Sequence, residues 1–206
     1  VTRMPSEGMP YAVFAYAALL PWTSFSNALT SGTNSLVSHS HLVTKVYFPR
    51  EILPATYVVA SLFDLTVGAS VLAVMMIYYG IVPTLLILWV VPIVAVLTVF
   101  MLGVTLVLSA LQVYFRDIGM AMPLLMQLWL FASPVVYPLS AVPARLYPFY
   151  VLNPMAGIVE NFRRVVLQGA APDLYALIVA ALVSFALLPV AYVFFKRLEA
   201  TLADVV

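Results

Sequence analysis

The chain has 206 residues, of which 65% are hydrophobic and 8% are charged, and its net charge at pH 7 is +1. A water-soluble domain carries about 25% charged residues, so this composition excludes a soluble fold and predicts an integral membrane protein. The near-neutral charge gives no reason to expect a nucleic-acid partner, and the absence of cysteine excludes a disulfide framework and a thiolate metal site.

Five apolar segments are long enough to cross a bilayer as helices, which takes about 20 residues each. We predict these spans at 10–37, 55–79, 84–113, 120–137 and 174–195. An odd number of spans places the two termini on opposite sides of the membrane. The sequence therefore predicts one all-α transmembrane domain over residues 1–206.

The first span is the most polar of the five. Its polar residues recur every three or four positions and so share one face of a helix, as Ser24, Asn27, Ser31 and Asn34. Such a stripe can bond to neighbouring helices, or it can line a polar pathway across the membrane. The spacing leaves both interpretations open.

A charged segment with two prolines, TKVYFPREILP at 44–54, joins the first two spans. Because proline suits the first turn of a helix and disrupts its interior, we predict a short helix starting near Phe48 and lying across the membrane surface. It would present a compact docking surface made by Lys45, Tyr47, Phe48, Pro49, Arg50 and Glu51. The alternative is an ordinary charged turn that marks the inner membrane face.

Asp64 interrupts the second span near its middle. A charged side chain at the centre of a membrane helix costs about 2.5–3.5 kcal/mol on insertion scales. We therefore expect Asp64 to face protein or water, or to be protonated. The second and third spans contain no other acid, which favours a structural partner over a proton relay.

The stretch between the last two spans is broken by prolines and contains NPMAGIVENFRRVVLQG at 153–169. Asn153 suits the N-cap of a helix and Gly169 suits the position after its end. About fifteen residues reach only about 22 Å, too short to cross. We predict a short helix that lies in the membrane interface or enters and returns, with a polar face of Glu160, Asn161, Arg163, Arg164 and Gln168.

Aromatic residues cluster near the same membrane face, among them Trp129, Tyr137, Tyr147 and Tyr150. An interfacial aromatic belt explains such a cluster. The sharper interpretation is that flat rings stack against sugar rings that pass the exit of a pathway.

Motifs for nucleotide hydrolysis and metal binding are missing. A phosphate-binding loop ends in Gly-Lys-Ser/Thr, whereas the only two lysines, Lys45 and Lys196, follow threonine and phenylalanine. His39 and His41 are two positions apart and do not share a helix face. We therefore expect no ATPase activity of the chain itself and no metal or cofactor, and the two histidines are thin support for an intramembrane transferase.

Several motifs are recognisable when taken together and in order. They are VTKVYFPREILP, QVYFRDI at 112–118, SPVVYP at 133–138, LNPM followed by NFRRVVLQG, and the C-terminal FFKRLEATLADVV. Together they resemble the permease subunits of bacterial type-2 ABC exporters for polysaccharides, which move O-antigen, capsule and teichoic-acid polymers.

The resemblance implies a permease of six spans with both ends in the cytoplasm, so this chain is expected to lack the first helix of the family. It makes 44–53 the coupling helix that inserts into a separate ATP-binding subunit, with Arg116 and Asp117 as a second contact. It makes 139–169 a pair of re-entrant gate helices on the outer side.

The implied assembly is a homodimer in the bacterial cytoplasmic membrane with two ATP-binding subunits beneath it and a lipid-linked polysaccharide as cargo. Segment 44–53 and the C-terminus would face the cytoplasm. Basic residues support that orientation by five inside to four outside. The alternative function is an ion- or proton-coupled secondary carrier that uses Asp64.

Overall fold

The computed structural model describes residues 10–45, 47–135 and 147–205. This part of the chain is helical and contains no strand, because a backbone in lipid has to satisfy its polar groups within its own segment. The helices are α1 (Tyr11–Thr33), α2 (Ser35–Ser38), α3 (Ser40–Lys45), α4 (Ile52–Tyr78), α5 (Val90–Tyr114), α6 (Asp117–Ala132), α7 (Tyr147–Leu152), α8 (Pro154–Arg163) and α9 (Leu174–Val205). A 3₁₀ turn at Leu85–Trp89 precedes α5, and a π-helical turn at Arg164–Gln168 extends α8.

Three helices in the described ranges are long and apolar enough to cross a membrane, namely Ile52–Tyr78, Leu85–Tyr114 and Leu174–Glu199. The first and fourth predicted spans are also helical, as α1 and α6, but do not meet the same criteria. α1 has 23 residues, and its polar stripe lowers its hydropathy. α6 has 16 residues, which reach about 24 Å. The all-α membrane fold is confirmed, and the count of five spans stays a prediction.

Consecutive long helices run antiparallel between two ends of the bundle. We call the end that carries residues 47–51 the loop end, and the end that carries α7 and α8 the far end. α1 and α4 form the first antiparallel pair, held by Tyr16 Oη, which donates to the Gly68 carbonyl at 3.3 Å. Towards the loop end, Gly32 lets α1 approach α5, because a Cβ at this position would overlap the Thr105 side chain.

α5 lies in the centre, in contact with α1, α4, α6, α8 and α9. Its aromatic contacts join three helices: Phe100 stacks on Phe25 of α1 at 5.4 Å between ring centroids, and Trp129 of α6 meets Phe25 edge-on at 5.1 Å. On the other side, Gly103 allows α5 to pack closely on Leu187 of α9. This central position fixes the helices that carry the loop end and the far end.

α8 is buried along its whole length, including its polar residues. The predicted polar face is enclosed at Glu160, Asn161 and Arg163, where neighbouring helices and an internal ion pair surround it. α8 contacts α1, α5 and α9. Whether α8 lies in the membrane interface or enters the membrane and returns stays a prediction.

Candidate functional site

The charged loop, residues 47–51, leads directly into α4. The predicted separate helix starting near Phe48 is wrong, because the Pro49 carbonyl accepts from Ile52 N at 3.1 Å and so begins the first turn of α4 itself. Pro54 lies in that first turn, as predicted for a proline. The short helix of this region is α3, which ends at Lys45 before the charged loop.

Four charged residues tie the charged loop to the last turns of α9, and we call this group the clasp: Arg50, Glu51, Lys196 and Glu199. Lys196 Nζ donates to Glu51 Oε2 at 2.9 Å and to Glu199 Oε2 at 2.8 Å. Arg50 Nη1 donates to the Glu199 carbonyl oxygen at 2.8 Å. The clasp thus fixes the loop to a helix that follows it by more than a hundred residues.

Burial raises the pKa of the Glu51 carboxyl, but the hydrogen bond and the charge of Lys196 outweigh it, so the pKa lies below its ordinary value. Glu51 is therefore ionised at neutral pH. The clasp contains two cations, Arg50 and Lys196, and two anions, Glu51 and Glu199, so it adds no net charge to the loop end.

A cleft of about 550 Å³ opens beside the clasp. It is lined by Tyr47, Phe48, Pro49, Arg50, Glu51, Lys196 and Glu199. Tyr47 is fully exposed at its rim. An exposed aromatic ring beside a rigid, partly charged cleft is a surface that can receive another protein.

The other predicted contact residues share the loop end with the charged loop. Lys45 is exposed at the end of α3, and Arg116 and Asp117 are exposed at the start of α6. α9 contacts both regions. Besides its bonds to the charged loop, it accepts a hydrogen bond at the Leu198 carbonyl from Tyr114 Oη at 3.4 Å, and Tyr114 ends α5 just before Arg116 and Asp117. The structure brings Arg50 and Glu51 into one cluster and leaves the other three at its periphery.

The polar stripe of α1 divides into two groups. Ser24 is buried and donates to the Ser61 carbonyl at 3.0 Å, which is the interhelical bond that the sequence left open. Asn27 and Ser31 are exposed. Asn34 is half-buried and accepts from Gln112 Nε2 at 3.2 Å.

Thr23 was missed by the sequence analysis although it lies four positions before Asn27. Its side chain is exposed on the same side of α1 as those of Asn27 and Ser31. An open polar strip therefore runs along α1 through these three residues.

The structure describes the side chains of two of the four predicted aromatic residues, Trp129 and Tyr150. Trp129 is half-buried, and its Nε1 donates to Asn153 Oδ1 at 3.3 Å. With Tyr150 it lines a cleft of about 490 Å³ at the far end. Tyr137 lies outside the described residues, and only the backbone of Tyr147, in α7, is described.

The ends of α8 are those that the sequence predicted. Asn153 accepts from Met155 N at 3.2 Å as the N-cap, and Gly169 has the left-handed φ of 57° at which the π-helical turn ends. Asn161 Oδ1 accepts from Asp173 N at 2.6 Å, just before α9 begins. α8 is thus capped at its start, and near its end it is bonded to the residue that precedes α9.

An ion pair lies inside the fold between Arg163 and Glu160. Arg163 is fully buried, and its guanidinium carbon lies 4.1 Å from the centroid of the Phe14 ring. Its Nε and Nη1 have no hydrogen-bond partner in the structure. Such unpaired donors carry a desolvation cost.

Asp64 is exposed on α4, on the surface of this single chain. His39 Nδ1 bonds to the Ser35 carbonyl oxygen at 2.9 Å, four positions earlier in the chain. Over the described ranges, no three His, Cys, Asp or Glu side chains come together as metal ligands.

Comparison with known proteins gives matches over most of the chain. Residues 3–167 match the family model described as ABC-2 type transporter. An O-antigen export system permease protein RfbA of Myxococcus xanthus is 32% identical over 191 residues, which cover 91% of this chain and 72% of that protein.

Two proteins of the same name from Klebsiella pneumoniae are 26% and 25% identical, over 160 and 196 residues. These matches cover 77% and 95% of this chain. They span 62% and 75% of the two relatives, so the relatives are longer than the matched region.

Proposed function

The chain belongs to the ABC-2 type transporter family, and from this premise we propose that it exports a lipid-linked polysaccharide across the bacterial cytoplasmic membrane. It is a transport permease and not an enzyme, and permeases of this family work with a separate ATP-binding subunit. The cargo is inferred from relatives named as O-antigen export permeases. The family also argues against the carrier alternative, because an ABC permease is driven by ATP and needs no coupling acid such as Asp64.

The clasp is the observation that carries the assignment of the loop end. A docking segment has to keep its shape under load. The charged loop is held by two hydrogen bonds to α9, and Lys196 is itself held by Glu199 of the same helix. We assign the contact with the ATP-binding subunit to this loop, with Arg116 and Asp117 beside it. Both regions would face the cytoplasm, as would the C-terminal end of α9.

The exposed strip of α1 supports a pathway on the outside of the single chain. Asn27 and Ser31 have amide and hydroxyl groups that lipid cannot satisfy. Two copies of the chain that face each other through this strip would enclose a polar route. The sugar chain would follow this route, and the cleft beside Trp129 and Tyr150 would offer aromatic faces to sugar rings at the outer side.

The proposed function is tested by purifying the chain with its bound partners and then measuring polysaccharide export by the purified complex. The chain is isolated with whatever it binds in its native membrane, and the complex is reconstituted into vesicles that contain a radiolabelled lipid-linked polysaccharide. We expect an ATP-binding subunit in the complex and export that stops when ATP is removed. Export that continues without ATP and stops when the proton gradient is dissipated would assign the chain to the carrier class.

A further inference from the structure

α9 is bonded to a different segment of the chain at each of its ends. At the loop end it belongs to the clasp, and at the far end it is bonded to α8. From this we infer that α9 is a lever that passes movement of the charged loop to α8. The inference rests on the proposed function, because the ATP-binding subunit supplies the movement.

The loop-end attachment joins the charged loop to α9 at two points. Lys196 bonds to Glu51 of the loop and to Glu199 of its own helix. Arg50 adds a bond to the backbone of α9, so the loop is held by a side chain and by the main chain. Pulling the loop therefore pulls the end of α9.

The far-end attachment is reciprocal. Asp173 N donates to Asn161 Oδ1 at 2.6 Å, and Asn161 Nδ2 donates to the Asp173 carbonyl oxygen at 3.3 Å. The Asp173 carboxylate also accepts from Tyr175 N and Ala176 N at 3.1 and 3.2 Å and so caps α9. One residue, Asp173, thus joins the first turn of α9 to the last turn of α8.

The two helices also touch through their backbones. A Cβ at Gly157 would lie 2.7 Å from the Ala176 carbonyl oxygen, so only glycine allows this close approach of α8 to α9. Further along α9, Leu187 is packed on Gly103 of α5, close to the helix-weakening Pro189. We place the pivot of the lever at this contact.

α8 has a physical reason to have a second position. Arg163 holds two buried donors without a partner, and moving α8 away from Phe14 would let water reach them. The packed position of α8 is stabilised by buried apolar side chains. A displaced position would be stabilised by water around the Arg163 guanidinium. A helix with two opposing terms of this kind can be shifted by a force at its partner.

Lys196 and Asn161 are then positioning residues at the two ends of the lever. The chain has no cysteine, so a single introduced one reports on the far end. Ala171 is exposed, and its carbonyl oxygen accepts from Arg164 Nε at 3.2 Å. Ala171→Cys therefore places a label where a shift of α8 changes access.

The experiment measures the labelling rate of Ala171→Cys by a membrane-impermeant maleimide, on complexes that retain the ATP-binding subunit. Rates are compared without nucleotide and with a non-hydrolysable ATP analogue. We expect a several-fold change, which falls below twofold when Lys196→Met is added and is kept with Lys196→Arg. Val82→Cys, on an exposed far-end loop, is the matched control and should show no change with nucleotide.

An equal nucleotide response with Lys196 and with Lys196→Met would overturn the lever and leave the permease assignment intact. So would the absence of any response in complexes that hydrolyse ATP and export polymer. If no ATP-binding subunit associates with the chain, the proposed function fails and the lever with it. Glu51→Gln has nearly the same side-chain shape but removes the negative charge, and it should weaken the response even where Lys196→Met lowers the yield.

Discussion

Lys196 and Glu51 are 145 positions apart in the sequence, yet the Lys196 ammonium donates to the Glu51 carboxylate over 2.9 Å. The same ammonium donates to Glu199 at 2.8 Å. One cation therefore holds two acids from two separate segments. The charged loop is consequently part of a folded surface, and its position depends on α9.

Removing the Lys196 charge should weaken the fold by a modest amount. The Lys196 and Glu51 side chains are 34% and 24% exposed, so solvent screens the pair, and an exposed ion pair contributes about 0.2–1 kcal/mol. With two pairs lost, we expect Lys196→Met to lower the free energy of unfolding by about 1 kcal/mol. Unfolding in detergent, followed by circular dichroism, measures it.

The matched control for this change is Arg197→Met. Arg197 lines an apolar groove with Val190 and Val193, so its loss should be independent of Glu51. A double-mutant cycle should give a coupling energy between positions 51 and 196 and none between 51 and 197. Equal coupling in the two cycles would mean that the clasp does not act through the observed bonds.

The pH dependence of the clasp follows from the Glu51 pKa. The ordinary pKa is 4.5, and the folded pKa is lower because of Lys196. The unfolded state therefore binds the proton more readily, and the stabilisation is fully present above about pH 4.5 and is lost as the pH falls through the folded pKa. We expect the stability difference between the wild type and Glu51→Gln to be constant from about pH 7 to pH 5 and to shrink below pH 4.5. A difference that grows on acidification would contradict this sign.

Removing the charges of the charged loop should affect ATP-driven export more than it affects the stability of the fold. If Arg50 and Glu51 transmit force, the double change Arg50→Ala and Glu51→Ala should lower the ATPase activity stimulated by the permease several-fold. It should lower export in proportion, because both depend on the same contact. His41→Ala, at an exposed position of α3, is the control. Unchanged hydrolysis and export in the loop variant would remove the loop from the coupling surface.

Local signals in the sequence were sufficient to predict where α8 begins and where the π-helical turn that extends it ends. Asn153 and Gly169 act within a few residues of their own position, through a cap and a left-handed φ. The contact between Glu51 and Lys196 has no such signal, because it depends on how α4 and α9 pack. A Lys-x-x-Glu spacing indicates the pair of Lys196 with Glu199, and nothing in the sequence indicates the loop.

Helical spacing groups polar residues on one face but does not determine what that face contacts. The polar face of α8 was predicted from spacing, and the structure shows what it contacts: Asn161 bonds to Asp173 and Arg163 pairs with Glu160 inside the fold. The polar stripe of α1 was treated as one surface, but Ser24 turns towards Ser61. The spacing of polar residues predicts which residues share a face, whereas the partners of that face depend on how the helices pack.

The two groups of α1 polar residues should respond differently to substitution. Ser24→Ala removes a buried interhelical bond and should lower the free energy of unfolding by about 0.6 kcal/mol without changing export per folded molecule. Asn27→Leu and Ser31→Leu affect exposed positions, so we expect normal folding and a several-fold loss of polymer export. Export assays normalised to protein in vesicles separate the two. Full export by the two leucine variants would place the pathway elsewhere.

The buried pair of Glu160 and Arg163 gives the largest expected effect on stability. Glu160 is 8% exposed and Arg163 is fully buried, so Arg163→Leu leaves a carboxylate in the interior without its cation. Breaking a buried ion pair in this way costs about 3–5 kcal/mol, whereas replacing both partners by apolar residues is often neutral or stabilising. We therefore expect Arg163→Leu to fold poorly and Glu160→Leu with Arg163→Leu to recover most of the lost stability, since the two unpaired guanidinium donors disappear as well. Thermal unfolding in detergent compares the variants, and a double variant as unstable as the single one would show that the guanidinium has a further role in holding α8 against Phe14.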